Sequence, residues 1–470
     1  MFNNTPLALV LLFFVSGIFT QSCKREQLDN SPSAKVAFST DTVMFDTVFT
    51  VHSGGPFPRS VNQRLKVYNR NQNTVKTNIR LMGGQASPYR INIDGQRTTQ
   101  VVDYEIMGKD SIYLFVEVSL DPLNGAHPVI HDSIEFITNG NVQYVQLRAF
   151  GIDAYYFNKV TTSSDTAWND PNKPYVIYGY FNVAEGKKLT IGPGVKVYAD
   201  VGAYLFVEGT LEVGTPASKN NRVTFQGARL GADFKDIPGQ WGGIWFATTS
   251  VNNSIHYADI INGIVGVRCD SLPKSGAFKV TINNTFIKNM SAVGVLGFTS
   301  KIKMVNSCVG NCGQYTFAGD LGGQYEFLHC TFANYSGTFA RKEPSFALSN
   351  ANYKAPDGTV YANPLSYSIR NSIIYGSLKE EVLIVTEGQG PVTPLGTAFD
   401  SNILKTEMQG LNPSNTINND PKFKNTGLQD FKLDTLSPAH NALNSIAVSD
   451  DLEGTPRDAQ PDIGAYERVE

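Results

Sequence analysis

The chain has 470 residues and a formal net charge of −3. A protein that binds nucleic acid through its phosphates usually carries a basic excess, so this charge argues against that class. Aromatic residues make up 11% of the chain and glycines number 42, a composition that favours strands joined by frequent turns. At this length two or three domains are expected, unless a repeat architecture extends one of them.

The first predicted element is an apolar run from Leu7 to Phe19. It is too short to span a bilayer and lies where a secretory signal has its apolar core. The run leads into Thr-Gln-Ser-Cys, with a small residue directly before Cys23. This arrangement resembles a bacterial lipoprotein signal, which implies that Cys23 carries a lipid and anchors the chain to a membrane. An ordinary signal peptide with an incidental cysteine is the alternative, because no Lys or Arg precedes the run.

We assign residues 1–23 to the lipoprotein signal peptide and the largely polar residues 24–35 to a tether. Residues 36–153 then alternate apolar and polar positions in short runs separated by turn residues, which predicts an immunoglobulin-like β-sandwich of about seven strands. Asn139-Gly140 predicts a tight hairpin, because both central positions of a type I′ turn need a positive φ. We expect the sandwich to hold the next domain away from the membrane, with glycan or protein binding along a strand edge as the alternative.

Residues 154–470 contain a repeat of 22 or 23 residues, seen in INNTFIKN, MVNSCVGN and FLHCTFAN. One such unit cannot bury its own apolar side chains, whereas stacked units share a single interior. The spacing therefore predicts a parallel β-helix of about ten coils with a C-terminal cap. A propeller is disfavoured because its blades would repeat at about 40 to 50 residues. The predicted interior column contains Ile261, Ile287, Val309, Phe332, Ile374 and Leu404.

Asparagine recurs at the predicted bends of the coils, as at Asn284, Asn306 and Asn371. Asparagine tolerates left-handed backbone, and its amide can bond to the equivalent residue in the next coil. His329 occupies one of these positions and is interpreted as a turn residue in preference to a catalytic base. Two interruptions of the repeat, at 228–240 and 337–365, are expected to form loops outside the stack, where function often lies.

Several fixed phrases accumulate along nearly the whole chain. They are FSTDTVMFDTVFT (38–50), DSIYLFVEVSLDP (110–122), PYVIYGYFNV (174–183), IPGQWGGIWF (237–246), DPKF, SPAHNA and PDIGAYE. Together they resemble a group of Bacteroidetes-type cell-envelope lipoproteins with a right-handed parallel β-helix of the pectate-lyase-like kind. The closing phrases resemble the DIGAYE-type tail of many β-helix surface proteins, although Ala439-His440-Asn441 replaces the commoner Ala-Ile-Asp. The resemblance implies the fold and an outer-membrane lipoprotein facing the periplasm or the cell surface, and no settled activity.

No residue set in the chain identifies a cofactor or a metal site. Apart from Cys23, the cysteines are Cys269, Cys308, Cys312 and Cys330, and their spacing is not that of a zinc site. They are interpreted as small apolar residues of a strand-rich interior. Their disulfide state is not predicted from spacing.

A polysaccharide lyase or a glycoside hydrolase would need a base with a cation, or two carboxylates at matching outward positions on nearby coils. The strongest charged pair is Arg268 with Asp270, for which an exposed ion pair is the simpler interpretation. Trp241 and Trp245 could offer faces for sugar stacking. Strand alternation places both on the same side, however, so filling of the interior is the alternative. No catalytic residue is assigned.

The sequence therefore favours a surface-anchored β-helix scaffold that binds a glycan or a partner protein through the helix flank and the 337–365 loop. Arg268, Asp270, His329 and Trp241 are its candidate binding residues. The alternative is a lyase or glycoside hydrolase acting on an acidic polysaccharide. Besides the membrane reached through the lipid, the expected partners are a polysaccharide or a surface protein.

Overall fold

Strands form most of the regular structure of this protein. The structure is a computed structural model that describes residues 27–49, 61–119, 129–273, 276–335 and 337–469. Cys23 and the apolar run before it lie outside the described residues. The chain divides into two compact units, Met1–Asp153 and Ala154–Glu470. In the ranges given above, no helix is both long enough and apolar enough to cross a bilayer.

The first unit is a β-sandwich whose described strands form two five-stranded sheets. The first sheet has the order β1-β3-β8-β5-β6 and the second the order β2-β10-β9-β4-β7, where the strands are β1 (Ala37–Phe38), β2 (Thr42–Phe49), β3 (Val61–Tyr68), β4 (Val75–Leu81), β5 (Tyr89–Ile93), β6 (Gln96–Thr98), β7 (Gln100–Ile106), β8 (Ser111–Val118), β9 (Val129–Thr138) and β10 (Asn141–Ile152). These ten strands exceed the seven predicted, because short edge strands such as β1 and β6 leave little periodicity in the sequence.

Strand alternation builds the sandwich core. Inward residues of both sheets, such as Leu65, Ile79 and Leu114, are fully buried in one cluster. The predicted hairpin joins β9 to β10, and Asn139 and Gly140 have φ values of 47° and 83°. Both central residues therefore have the left-handed backbone that a type I′ turn requires.

The second unit is a parallel β-helix built around a sheet of 25 strands, so the predicted fold class is confirmed. Its strands are β11 (Tyr155–Thr161), β12 (Thr166–Trp168), β13 (Tyr175–Val183), β14 (Lys188–Ile191), β15 (Lys196–Ala199), β16 (Tyr204–Val207), β17 (Thr210–Val213), β18 (Val223–Gly227), β19 (Gly243–Phe246), β20 (Asn253–His256), β21 (Ala258–Ile261), β22 (Val265–Asp270), β23 (Val280–Asn283), β24 (Phe286–Lys288), β25 (Val293–Val305), β26 (Cys308–Gly310), β27 (Phe317–Leu328), β28 (Thr331–Asn334), β29 (Phe346–Ser349), β32 (Leu365–Arg370), β33 (Ile373–Gly376), β34 (Val382–Val385), β35 (Phe399–Asp400), β36 (Ile403–Leu404) and β37 (Thr416–Ile417). Two hairpins lie outside this sheet, β30 (Tyr353–Lys354) with β31 (Val360–Tyr361) and β38 (Phe423–Asn425) with β39 (Asp430–Leu433), and one short helix, α1, covers Leu395–Ala398.

Each complete coil contributes one strand to each of three faces. Face 1 contains β14, β17, β20 and β23, face 2 contains β15, β18, β21 and β24, and face 3 contains β16, β19 and β22. The long strands β25 and β27 begin on face 3 and end on face 1. Side chains that point inward from all three faces share one interior.

The predicted interior column is confirmed from Ile287 onwards. Ile287 pairs with Val309, Val309 with Phe332, and all three are fully buried. One coil earlier the prediction was wrong by one residue, because Ile260 pairs with Ile287 and is buried, whereas Ile261 is partly exposed. Two adjacent isoleucines fit either register by hydrophobicity alone, which explains the error.

The Asn positions are bends with left-handed backbone, since Asn284, Asn306, His329 and Asn371 have φ between 47° and 52°. The predicted bonding between neighbouring coils occurs at His329, whose Nε2 lies 3.1 Å from Nδ2 of Asn371. Asn284 and Asn306 differ. Their amides donate to backbone carbonyls near the C-terminus, at Asp451 and Asp450.

The C-terminal segment packs along the outside of face 2. There Ile463 and Tyr466 join a second apolar cluster with outward residues of face 2, among them Cys308 and Ile373. A buried ion pair stabilises the segment internally, because Nη1 of Arg457 lies 2.9 Å from Oε2 of Glu467, and Nη2 of Arg457 donates to Oδ1 of Asn306 in the coils at 3.2 Å. The segment Ala439-His440-Asn441 makes a polar contact, since Nδ1 of His440 lies 3.0 Å from Oδ1 of Asp462.

The predicted 337–365 loop is two shorter loops, because Phe346–Ser349 between them forms β29 on face 3. The first loop is held by a buried pair in which both terminal nitrogens of Arg341 bind the carboxylate of Glu381, at 2.7 and 2.6 Å. All four cysteines predicted to be interior residues are buried and free, but only Cys269, Cys312 and Cys330 lie in the interior of the β-helix, whereas Cys308 points outward beneath the C-terminal segment. Burial raises the pKa of the Cys312 thiol to about 12, so this thiol is unreactive in the folded protein.

Candidate functional site

The three faces of the β-helix differ in what they present to solvent. Face 2 is covered over much of its length by the C-terminal segment. Face 1 presents a polar column, whereas face 3 presents aromatic side chains and an arginine at the equivalent outward positions. The face 1 column contains Thr190, Glu212, Ser254, Thr281, Lys303, Glu326 and Ser368.

We define the aromatic face as the outward side chains of Tyr204, Phe206, Trp245, Arg268, Asp270 and Phe298, all of which are partly exposed. They come from four successive strands of face 3. Inward residues of the same strands, such as Leu205, Ile244 and Val267, are buried in the interior. Because side chains alternate along a strand, burying these residues fixes the aromatic ones on the outside.

Strand register brings Trp245 and Arg268 together. Phe206 pairs with Trp245 across one coil boundary and Trp245 with Arg268 across the next. Adjacent strands lie about 4.8 Å apart, so side chains in one column stack on each other. The guanidinium carbon of Arg268 lies 4.1 Å from the centre of the Trp245 ring, and Phe206 meets that ring edge-on at 5.1 Å.

Asp270 accepts hydrogen bonds from both Trp245 and Arg268. The indole Nε1 of Trp245 donates to Oδ2 of Asp270 at 2.8 Å, and Nε of Arg268 donates to Oδ1 at 3.0 Å. Three residues from two coils therefore hold one another in a single arrangement while their outer edges remain accessible. The exposed ion pair predicted for Arg268 and Asp270 is present, and Trp245 is the partner that the sequence did not reveal.

Two further aromatic side chains extend the aromatic face. Phe298 pairs with Asp270 in register and lies 5.2 Å from the guanidinium of Arg268. Tyr204 lies over the backbone of Gly242, where any Cβ would overlap its ring, and its centroid is 6.2 Å from that of Trp245. The outward aromatic positions in YLFV and GIWF are the signal that could have identified this face from the sequence.

Trp241 does not belong to the aromatic face. It is 1% exposed, and its Nε1 donates to the carbonyl of Ile261 at 2.8 Å. The expectation that Trp241 and Trp245 share one side was wrong because alternation requires continuous extended backbone. Gly243 has a φ of 124°, and β19 begins only there. Trp241 therefore fills the interior, and its ring offers no face to a ligand.

His329 also lies away from the aromatic face. It is fully buried beneath the C-terminal segment. Desolvation, assisted by the nearby charge of Arg457, lowers the pKa of His329 to about 3. The imidazole is therefore neutral at ordinary pH, and no surface ligand can reach it.

The aromatic face offers two kinds of contact to a ligand. The rims of the rings can contact apolar C–H surfaces, and Arg268 and Asp270 offer donors and acceptors beside them. One side of the Trp245 ring is covered by Arg268, so a ligand would meet the indole edge together with the guanidinium. Asp320 follows Phe298 in the same column, about 10 Å from Asp270 by strand spacing. Within the described ranges, no group of three metal-ligating side chains occurs.

A second exposed aromatic pair lies on the β30–β31 hairpin. Tyr353 and Tyr361 are directly paired across the two strands and are 48% and 52% exposed. Their ring centroids are 6.2 Å apart, with the rings inclined by 30°. This hairpin belongs to the region in which the sequence predicted a functional loop.

Comparison with known proteins identifies no family for this chain. No protein-family model matches it, and no curated protein matches it. One similar solved structure is the catalytic unit of a GH87 α-1,3-glucanase from Streptomyces thermodiastaticus strain HF3-3, at 10% identity and a TM-score of 0.27, covering 77% of this chain and 89% of that chain. Another is PapD-like domain 7 of human CEP192, at 11% identity and a TM-score of 0.19, covering 26% of this chain and 89% of that chain. At these scores neither likeness bears on what the protein binds.

Proposed function

We propose that this protein is a surface-anchored β-helix scaffold that binds a glycan across the aromatic face. The observation that carries the proposal is the arrangement of Trp245, which is partly exposed yet held by Asp270 and Arg268. A side chain fixed before binding loses little conformational entropy when a ligand arrives. Face 1 of the same β-helix carries a polar column at the equivalent outward positions. The fold itself therefore does not require aromatic residues on a solvent-facing surface.

A glycan suits this surface better than a purely apolar ligand. Sugar rings combine C–H surfaces with hydroxyl groups, and the aromatic face combines ring edges with a fixed guanidinium and carboxylate. A glycan lying parallel to the helix axis would meet Tyr204, Trp245, Arg268 and Phe298 in turn, since these residues come from successive coils.

The proposed test measures binding of the full chain, purified in detergent, to a panel of soluble polysaccharides. We expect Trp245→Ala to weaken binding of the glycan found by about tenfold, equivalent to ~1.4 kcal/mol. The matched control is Thr281→Ala on face 1, which should bind as the unchanged protein does. Equal binding by Trp245→Ala and the unchanged protein would refute the proposal.

The same panel tests the catalytic alternative. Formation of new reducing ends or of unsaturated, ultraviolet-absorbing products would support a glycoside hydrolase or a lyase. In that case Asp270→Asn and Asp320→Asn should reduce product formation, since Asp270 belongs to the aromatic face and Asp320 is the next carboxylate in its column.

A protein partner is the second candidate, and the hairpin that carries Tyr353 and Tyr361 favours it. Exposed paired aromatic residues are enriched where proteins meet. If this is the functional surface, Tyr353→Ala together with Tyr361→Ala should abolish capture of a surface protein by the full chain, while Trp245→Ala should leave that capture intact.

We propose that the protein is located at the outer membrane, to which a lipid on Cys23 anchors it. The sequence before Cys23 supports it, as does the likeness of the closing phrases to those of cell-envelope lipoproteins. Cells fed radiolabelled palmitate should label the unchanged protein in the membrane fraction, whereas Cys23→Ser should remain unlabelled and leave that fraction. Labelling of Cys23→Ser would contradict this part of the proposal.

A further inference from the structure

The outer face of the first sandwich sheet combines cations and aromatic rings. Alternation buries Leu65 and Val67 of β3 and Leu114 and Val116 of β8. The intervening side chains therefore point away from the core. We define the cationic face as the side chains of Arg64, Lys66, Tyr68, Arg70, Tyr113 and Phe115.

Strand pairing places the cations directly beside the rings. Arg64 pairs with Phe115 and Lys66 with Tyr113 across the β3–β8 boundary. The guanidinium of Arg64 and the ammonium of Lys66 lie 5.0 and 5.3 Å from the Tyr113 ring centre. Lys66 and Arg70 also lie 5.1 and 5.9 Å from the ring of Tyr68. The rings of Tyr113 and Phe115 nevertheless remain 45% and 44% exposed.

This face carries an excess of positive charge although the whole chain is slightly acidic. Its nearest acid on β8, Glu117, is already paired with Arg97. Among the described residues, no salt bridge involves Arg64, Lys66 or Arg70.

The outer face of the second sheet is arranged differently. There Lys76 pairs with Glu105 and Arg80 pairs with Glu135. A group of cations without carboxylate partners on one face attracts anions, so this group on the first sheet indicates an anionic ligand.

We propose that the cationic face is a second binding site, separate from the aromatic face, for an anionic polysaccharide that carries carboxylate or sulfate groups. The cations and the aromatic rings of this face then each contact a different part of the ligand. Arg64, Lys66 and Arg70 attract the charged groups, and the exposed rings of Tyr113 and Phe115 contact the sugar rings.

A membrane surface explains the face less well than a polysaccharide. Recognition of anionic lipids by charge usually uses clusters of four to eight cations, whereas the cations of this face alternate with exposed rings across the β3–β8 boundary. Flat exposed rings on a rigid strand also suit a sugar chain better than they suit scattered headgroups.

The test uses affinity electrophoresis of the full chain through gels that contain polygalacturonate, neutral dextran or neither. We expect Arg64→Gln with Lys66→Gln to weaken retardation by polygalacturonate about tenfold or more, since each cation near an anionic surface contributes substantially. The matched control, Lys76→Gln with Arg148→Gln, removes the same charge from the second sheet and should change retardation less than about twofold. Tyr113→Leu keeps the charge and should also weaken retardation.

The outcomes separate this site from the aromatic face. Loss of retardation in Arg64→Gln with Lys66→Gln but not in Trp245→Ala supports the cationic face, whatever the aromatic face binds. An equal loss in the control variant overturns the proposal, because net charge alone would then explain binding. Sedimentation with phosphatidylglycerol vesicles without retardation by polygalacturonate also overturns it, in favour of a membrane contact.

Discussion

His329 provides a pH-dependent test of how closely the C-terminal segment covers the coils. It occupies a left-handed bend in which the neighbouring coils use asparagine, with a φ of 51°. Replacement by asparagine therefore keeps a residue that tolerates this backbone and can still bond to Asn371. The substitution removes the titrating group and leaves every other acid and base of the protein unchanged.

The magnitude follows from the depressed pKa of His329. In the folded protein the pKa is about 3, whereas an exposed histidine has a pKa of 6.5. Below pH 6.5 the unfolded chain therefore binds a proton that the folded chain does not, and the free energy of unfolding falls as the pH falls. Each pH unit costs about 1.36 kcal/mol, so acidification from pH 7.5 to pH 4.5 should cost about 2.7 kcal/mol through this residue.

Urea denaturation of both proteins, followed by tryptophan fluorescence at pH 7.5, 6.0 and 4.5, measures the effect. Asp451 and Glu467 have raised pKa values through burial and titrate in both proteins, so their contributions cancel in the difference. We expect the difference in unfolding free energy between His329→Asn and the unchanged protein to shift by about 2.7 kcal/mol in favour of the variant. Parallel pH profiles would show that the C-terminal segment leaves this imidazole in water and would refute the reasoning.

Three further substitutions test the fold and the loop anchor. Glu381→Gln leaves the buried guanidinium of Arg341 without its counter-charge and should lower the free energy of unfolding by about 3 to 5 kcal/mol. The control is Lys303→Gln, which removes the partly exposed ion pair with Glu326 and should change the free energy of unfolding little. Phe332→Ala opens a cavity among Phe317, Phe327 and Phe346 and should cost about 3 to 5 kcal/mol in the same denaturation assay; a cost below about 1 kcal/mol would contradict the continuous interior. Gly243→Ala places a Cβ against the carbonyl oxygen of Val265 at a φ of 124° and should cost more than about 1 kcal/mol by thermal unfolding. Gly276→Ala, where the added Cβ meets no neighbour within 4 Å although φ is also positive, is the less costly comparison.

The interior of the β-helix could be predicted because its signal repeats. Ile287, Val309 and Phe332 occupy the same place in successive units, and stacking is the arrangement that buries all of them at once. Where the pattern was ambiguous, at Ile260 and Ile261, the prediction chose the wrong register. The asparagine at the following bend, Asn262, has a φ of 62° and matches Asn289 in the next coil, but this equivalence emerges only from the structure.

The aromatic face could not be assembled from the sequence because it depends on register between distant strands. Trp245 and Arg268 contact each other only because β19 and β22 align on face 3. The stretch 228–242 separates β18 from β19 and interrupts the repeat, so counting residues does not give that alignment. Arg268 and Asp270 were recognised as a pair because they are two residues apart on one strand. Their partner Trp245 required the pairing of coils.

The closing phrase of the chain is explained by packing. Asp462 accepts hydrogen bonds from the backbone of Asn441 and Arg468, at 2.7 Å each. Glu467 accepts from the backbone of Asp462 and from Arg457, so both acids fix the fold of the segment itself.

Asn284 and Asn306 bind carbonyls of the same segment, which fastens it to consecutive coils. The segment therefore covers face 2 and makes no contact that depends on a ligand. The residues that we propose to recognise glycans, Trp245 with Arg268 and the cations on the first sandwich sheet, lie outside that phrase.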